Sequence, residues 1–402
     1  MKTRVVLSRL GWAGVWIAGV LAGAAVLAGC SREDEAYPQD TPDAVLKSAV
    51  EMVKSGNARL LPRLLDDGGN RDMRAVLNRL GNLTGSMQSL AKAVAERFPA
   101  EVEALKKQVE EEAASEKGQQ TLQSILRGPA APQASKGAPD AKAQEAARRG
   151  FEDTFTRLMA DPFSFLERGA ERLSTTMVTD DQAAILFDEK PVLGIGLTMR
   201  KRGDKWYVEL PVNLPGVRDY MPQTRTEHSI VASLIKVLDG TVKDLETDVR
   251  SGRVSTVNQL AEKAGERAFV PMGMVALVYV KEMDVRRQRE RVVREFSKRL
   301  GEWTKARSEE AATVRALSET ITRLAVEELD KAVRLKVKDE KAHPLPRFEA
   351  MAETEFVNTI QGWLTARKVG VSLGGTLSPA DVEKLAAQIN ESLGQIAKAR
   401  KK

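Results

Sequence analysis

Met199-Arg200-Lys201-Arg202-Gly203-Asp204-Lys205-Trp206-Tyr207-Val208-Glu209-Leu210 is the stretch that decides the fold class of this 402-residue chain. Two strand-like runs, Val192 to Lys201 and Lys205 to Val212, meet at Arg202-Gly203-Asp204, and a glycine-containing break between such runs predicts a hairpin. Thr176 to Phe187 supplies a third strand candidate. Eight of the 17 aromatic residues beyond position 29 fall between 151 and 220, which sets this region apart from everything around it. Everything around it has helical periodicity. The fold class expected is α+β, mostly α, with a small antiparallel sheet packed on helices and large helical additions.

Upstream, Thr41-Pro42-Asp43 opens a helix with a hydroxyl cap and a first-turn proline, and Val45, Leu46, Ala49, Met52 and Val53 share one face. Ser55-Gly56 ends it, and a short second helix is expected through Leu60, Leu61, Leu64 and Leu65. Val76, Leu80, Leu83, Met87, Leu90 and Val94 then follow a heptad rhythm. Downstream, Ile230, Leu234, Leu238, Val242, Leu245 and Val249 repeat at helical spacing. The apolar block Phe269 to Val280 starts at Pro271 and, being too short to span a bilayer, is expected to be a buried helix. Val293, Phe296, Leu300, Trp303, Val314, Leu317, Ile321 and Leu324 hold one heptad phase, interrupted by Arg307 and Glu310. That pattern fits one long helix with a polar gap or a hairpin. Two more helices are expected around Phe348 to Arg367 and Pro379 to Ala399. Val53-Lys54-Ser55-Gly56 and Val249-Arg250-Ser251-Gly252 echo each other, as a repeated unit or as two ordinary helix corners.

The chain has one cysteine and two histidines, which excludes a disulfide scaffold and a Cys/His metal site. Lys2, Arg4 and Arg9 precede an apolar run from Leu10 to Gly29 that contains no acid, the order of an export signal. The run ends in Leu27-Ala28-Gly29-Cys30, which resembles the lipobox of bacterial lipoproteins. The resemblance implies acyl chains on the Cys30 thiol, cleavage before Cys30, and a place in the cell envelope on the extracytoplasmic side of a membrane. Ser31, rather than Asp, follows the cysteine, which in that family points to the outer membrane where there are two. An uncleaved spanning helix over the same residues is the alternative. Cleavage leaves 59 of the 62 basic residues against 56 acids, so the mature chain is far less basic than the whole.

The Thr-Pro helix and the closing Lys-Arg-Gly-Asp-Lys-Trp-Tyr-Val strand together resemble the nuclear transport factor two-like domains found in small bacterial lipoproteins. The resemblance implies a curved sheet wrapped on helices, with an apolar pocket as an option. Here one extra residue separates Gly203 from Trp206, and residues 71–150 would form an insertion. The expected organisation is a signal peptide at 1–29, a flexible tether at 30–41 and a helical region at 42–127. A Pro/Ala/Gly-rich linker at 128–149, an α+β sheet region at 150–220 and a C-terminal helical domain at 221–402 complete it.

Few residues suggest chemistry. His228, between Glu227 and Ser229, is the one place where a Ser/His/carboxylate array can be drawn, but no nucleophile elbow surrounds it. Asp66-Asp67, Asp180-Asp181 and Asp188-Glu189 suit turns better than acid/base pairs, and Gly194-Ile195-Gly196 lacks the third glycine of a phosphate loop. Lys281 to Arg307 holds ten basic and five acidic residues, a solvated helix face or a contact for anionic lipid. No catalytic, cofactor or metal residue is nominated; Cys30 is the one site residue. The function expected is a lipid-anchored, non-enzymatic envelope module that binds a protein partner and no nucleic acid. A pocket for a lipid or other apolar molecule in the sheet region of residues 151–212 is the alternative, which filling of that space by Phe155, Phe163, Phe187 and Trp206 would rule out.

Overall fold

The computed structural model describes residues 36–114, 148–156, 169–191, 197–210, 220–305, 311–339, 342–373 and 377–399, with 162, 163, 166 and 218 as single positions. Among them the chain is mostly helical, with one small antiparallel sheet. The signal segment, Cys30, the Gly194-Ile195-Gly196 segment and most of the expected linker lie outside the described residues. The chain forms two compact units that divide between Val280 and Lys281.

The first unit begins with α1 (Pro42–Lys54), capped as expected by the Thr41 hydroxyl, which accepts from the Ala44 amide at 3.1 Å. Residues expected to be free tether are already tied down. The Tyr37 hydroxyl lies 2.8 Å from Ser55 Oγ, and Gln39 and Trp206 exchange hydrogen bonds at 2.7 and 3.2 Å. Where a second helix was expected there is a 3₁₀ turn at Ala58–Leu60, after which Leu65 pairs with Val208. The correction has a physical reason. The β-strand ending at Val208 offers edge N–H and C=O groups, and Leu64 O and the Asp66 N–H satisfy both, at 2.9 Å each.

α2 (Arg71–Arg97) buries the whole expected seam, Val76, Leu80, Leu83, Met87, Leu90 and Val94. The turn at 58–60 crosses α2 where the helix has no side chain. A Cβ on Gly81 would lie 2.5 Å from Arg59 O, and one on Gly85 would lie 3.0 Å from Arg59 Cβ. Between them Thr84 Oγ1 donates to Ala58 O at 2.9 Å, and the Gln88 amide accepts from Ala58 N–H and donates to Val53 O. α3 (Pro99–Ala114) follows.

The sheet contains β1 (Leu173–Thr179), β2 (Gln182–Phe187), β3 (Lys190–Pro191), β4 (Leu197–Arg202) and β5 (Lys205–Val208). Its order is β1-β2-β4-β5, with β3 paired to the end of β2. The single strand expected over Thr176 to Phe187 is two strands, because Asp180-Asp181 turns the chain. Phe187 and Lys190 pair across Asp188-Glu189, both at positive φ, and Arg202 and Lys205 pair across Gly203-Asp204, with Gly203 at φ 60°. Ala183, Met199 and Val208 lie side by side across the sheet, buried, with Trp206 beside them.

α4 (Arg225–Arg250) packs along α2. Arg225 lies 4.0 Å from Asp72, Ser86 donates to Asp239 at 2.6 Å, and Arg97 is 3.3 Å from where a Gly252 Cβ would be. The pairs advance together, so the two helices run parallel. α5 (Val257–Lys305) has its first amide capped by Glu101 at 2.9 Å and contains Pro271, which was expected to start a helix, in its interior. Gly56 and Gly252, in the echoed segments, both hold left-handed φ (77° and 73°) just beyond a helix end. That glycine-dependent corner accounts for the echo without a duplication.

In the second unit, α5 beyond Lys281 pairs with α6 (Ala311–Lys338): Glu282 meets Arg334 at 3.0 Å and Arg289 meets Asp330 at 3.6 Å. The order is antiparallel, so the interrupted heptad is a helical hairpin. α7 (Glu353–Ala366) and α8 (Pro379–Ala399) close the unit. Phe296 sits at its centre, with the Phe348, Phe356 and Trp363 rings 5.1, 5.4 and 5.5 Å away. Nearly buried Arg367 from the end of α7 reaches Glu328 on α6 through two nitrogens, at 3.0 and 2.5 Å.

Two glycines separate close approach from helix propensity. Gly81→Ala should lower unfolding free energy by about 1–2 kcal/mol, the clash with a backbone oxygen outweighing a helix-propensity gain of about 1 kcal/mol. Gly240→Ala, where nothing lies within 4 Å, should raise stability by up to about 1 kcal/mol in the same denaturant titration. Equal effects at both positions would contradict the packing described. Phe296→Ala should cost about 3–5 kcal/mol, read as earlier melting of the second unit.

Candidate functional site

The polar residues weighed for chemistry in the sequence serve mainly as caps and turns where they are described. Thr224 and Glu227 form a reciprocal cap on α4: Thr224 Oγ1 accepts from the Glu227 amide at 3.2 Å, while Glu227 Oε2 accepts from the Gln223 and Thr224 amides at 2.7 and 3.0 Å. His228 is buried in the same turn, its Nδ1 2.8 Å from Thr224 O. Its Nε2 has no hydrogen-bond partner among the described residues. Ser229 points to solvent, so the imagined array is not assembled.

The acid pairs are turn residues, as their neighbours suggested. Asp66 and Asp67 accept from the Gly68 and Gly69 amides at 2.8 and 2.7 Å and pair with Arg202 and Arg74. Asp181 accepts from the Thr179 hydroxyl. Asp188 is bound by Arg172, whose guanidinium lies 4.2 Å above the Phe187 ring; that hydrogen bond holds the Asp188 carboxyl below its ordinary range. Among the described residues, no group of three or more His, Cys, Asp or Glu is placed to hold a metal ion.

The basic stretch of α5 faces acids at close range. Arg287, Arg289, Arg291, Lys298 and Arg299 lie 3.2–4.0 Å from Asp284, Asp330, Glu295, Glu349 and Glu302 respectively. The opposite side is the buried row Val292, Phe296, Leu300 and Trp303. Of the four rings whose packing would fill the expected pocket, Phe155, Phe163 and Trp206 are buried in the first unit's common core, and Phe187 lies beneath Arg172.

Two features escaped the sequence reading. The first is Asp248, whose side chain is 1% exposed and meets Arg253 at 2.9 Å, Lys263 at 3.5 Å and Arg267 at 2.7 Å. These cations come from the corner after α4 and the first turns of α5, so one carboxylate holds both sides of the corner. Burial by itself would raise the Asp248 carboxyl. The attraction of Arg267, Arg253 and Lys263 outweighs it and holds the group below the usual carboxylate range. A run of charged letters at 246–267 gives no sign of which acid is enclosed; only the αL turn at Gly252 converges them on Asp248.

The second corrects an expectation. The apolar block from Phe269 to Val280 is helical but not buried all round: Val270, Met274 and Val278 are 62, 59 and 54% exposed. They recur every four residues and form one ridge of α5 about 12 Å long. The sequence signal was the block itself; that no element among the described residues covers this side is a property of the packing.

Comparison with protein-family models, curated proteins and solved structures finds no match to this chain. What the chain does is therefore argued from its own residues.

Asp248 makes a pH-dependent contribution. Because its folded-state pKa is depressed, the stabilisation is fully present above the unfolded value of about 3.9 and is lost as pH falls through the folded value. Asp248→Asn should cost about 1–2 kcal/mol at neutral pH and progressively less below pH 4, with cations that remain partly hydrated. Acid titration of both proteins by circular dichroism checks this; a deficit that stays constant down to pH 2 would count against it.

Proposed function

We propose that the mature chain is tethered to a membrane of the bacterial cell envelope by acyl chains on Cys30, and that it works there as a non-enzymatic module that binds or holds protein partners. The observation that carries the reading is Leu27-Ala28-Gly29-Cys30, placed at the end of an apolar run behind Lys2, Arg4 and Arg9 and containing the chain's single cysteine. Two or three acyl chains give a stable anchor at about 0.8 kcal/mol per buried methylene, where one chain is marginal. No helix among the described residues is long and apolar enough to cross a membrane. Ser31 favours the outer membrane as the destination where two are present.

A binding role rather than a catalytic one is supported by what the candidate side chains do. Glu227 and Thr224 cap a helix, Asp66, Asp67 and Asp188 hold turns, and Asp248 clasps a corner. Each of these groups is fully explained by stability. Burial of Phe155, Phe163 and Trp206 in the core weighs against the alternative, a lipid pocket in the sheet region.

Replacing the thiol tests the anchor. Cys30→Ser should accumulate as an unprocessed precursor or appear in the soluble fraction, and should incorporate no labelled palmitate. Normal processing, with the protein still retained on membranes, would overturn lipid anchoring. For the binding role, cross-linking in intact cells should capture the same partner repeatedly, and the capture should be lost when the protein is mislocalised.

A further inference from the structure

Alongside its acyl tether, we infer that the chain carries a second membrane contact: the Val270-Met274-Val278 ridge of α5 rests in the outer edge of the lipid bilayer to which the protein is tethered. The inference rests on the proposed anchor at Cys30 and adds to it a face of the folded domain.

Three observations select a lipid surface as the occupant. The first is the chemistry of the segment. From Ala268 to Val280 no side chain is charged, and the only polar one is the Tyr279 hydroxyl, which already donates to Tyr220 O at 2.7 Å. A protein interface carries about one hydrogen bond per 100–200 Å² to fix its register, whereas hydrocarbon asks for none. Tyr220, 40% exposed and held beside Tyr279, suits the boundary between apolar and wet surroundings.

The second is size. Covering the exposed parts of two valines and a methionine removes only a few hundred Å² from water. A lasting protein interface needs roughly 1,000 Å² or more, so the ridge is too small to hold a second copy of the chain. It is large enough for shallow insertion of a helix side, to a depth of about 5–10 Å.

The third is the length of the tether. Tyr37 is fastened to the folded body through Ser55 and Asn57, and Cys30 lies only seven residues before it. At about 3.6 Å per residue, the acylated end can be no more than about 25 Å from Tyr37. A body held that close meets the bilayer at high effective concentration, so a weak contact is populated without strong intrinsic affinity.

The test uses the full-length protein, purified with its acyl chains and placed in vesicles of phosphatidylethanolamine and phosphatidylglycerol. A polarity-sensitive fluorophore is attached at Met274→Cys, with Glu262→Cys, exposed on the same helix, as control. The label at 274 should be quenched by acyl-brominated lipid and shielded from iodide, while the label at 262 should not. Val270→Asp with Val278→Asp should reduce the lipid quenching about tenfold, with the helical circular dichroism unchanged. The inference is overturned if palmitate is incorporated but position 274 stays open to iodide on vesicles. It is equally overturned if shielding appears without lipid and grows with protein concentration, which would mean a second copy. In the Cys30→Ser protein, quenching at 274 under saturating lipid supports the ridge as a contact in its own right. Missing palmitate in the parent protein condemns the anchor alone, so the two readings fail separately.

Discussion

Parallel packing of α2 against α4 is the constraint on which the first unit depends. The two helices are separated in sequence by more than a hundred residues, yet they meet in register from Asp72 beside Arg225, through Ser86 bonded to Asp239, to Arg97 beside Gly252. Antiparallel neighbours need only a short loop. Parallel ones require a crossover, and in this chain the crossover contains the sheet. Macrodipoles aligned side by side give the pair no electrostatic advantage, so the pairing rests on the buried faces of the two helices, Leu80, Leu83, Met87 and Leu90 on one and Ile235, Val242 and Leu245 on the other. The sheet is then attached at the opposite side of α2 through α1 and the 58–66 segment. Gly81 and Gly85 allow the turn to approach, and Leu64, Leu65 and Asp66 bond to Val208.

The second unit solves a different problem. Its helices are joined by shorter links, and its core centres on Phe296, touched by Phe348, Phe356 and Trp363 from two other elements. Rings at edge and tilted angles contribute beyond simple area burial. Some of its inner polar groups bond across elements: Glu328 accepts two bonds from Arg367, and the Gln361 amide bridges Val371 O and the Leu373 amide. Burial would raise the Glu328 carboxyl, and the hydrogen bonds from Arg367 and Lys331 overcome that, keeping it charged. The long loop from Val369 to Leu377 is thereby held with four of its apolar side chains in the core.

These arrangements bear on function through what they leave over. Helix caps, turns and clasps use the acids and the histidine that looked reactive as letters in a sequence. The ridge of α5, by contrast, is apolar surface with no structural employment. Exposed apolar surface of that kind is a cost to a folded domain.

Much of this was legible in the sequence because it is written in local periodicity. The seam from Val76 to Val94, the Thr41-Pro42 helix start, the Gly203 hairpin and the mostly helical α+β class all follow from spacing and turn chemistry. Other features belong to the tertiary structure, since they depend on partners distant in sequence. Leu64 and Leu65 have helical spacing but serve a strand edge; the α5–α6 heptad is a hairpin because Glu282 and Arg289 find Arg334 and Asp330. Asp248 becomes a buried clasp only when a glycine turn brings three cations to it, and Val270, Met274 and Val278 become a surface because no element among the described residues is laid across them. Periodicity specifies that a face is apolar; what covers that face, protein or lipid, is decided by the geometry of everything else.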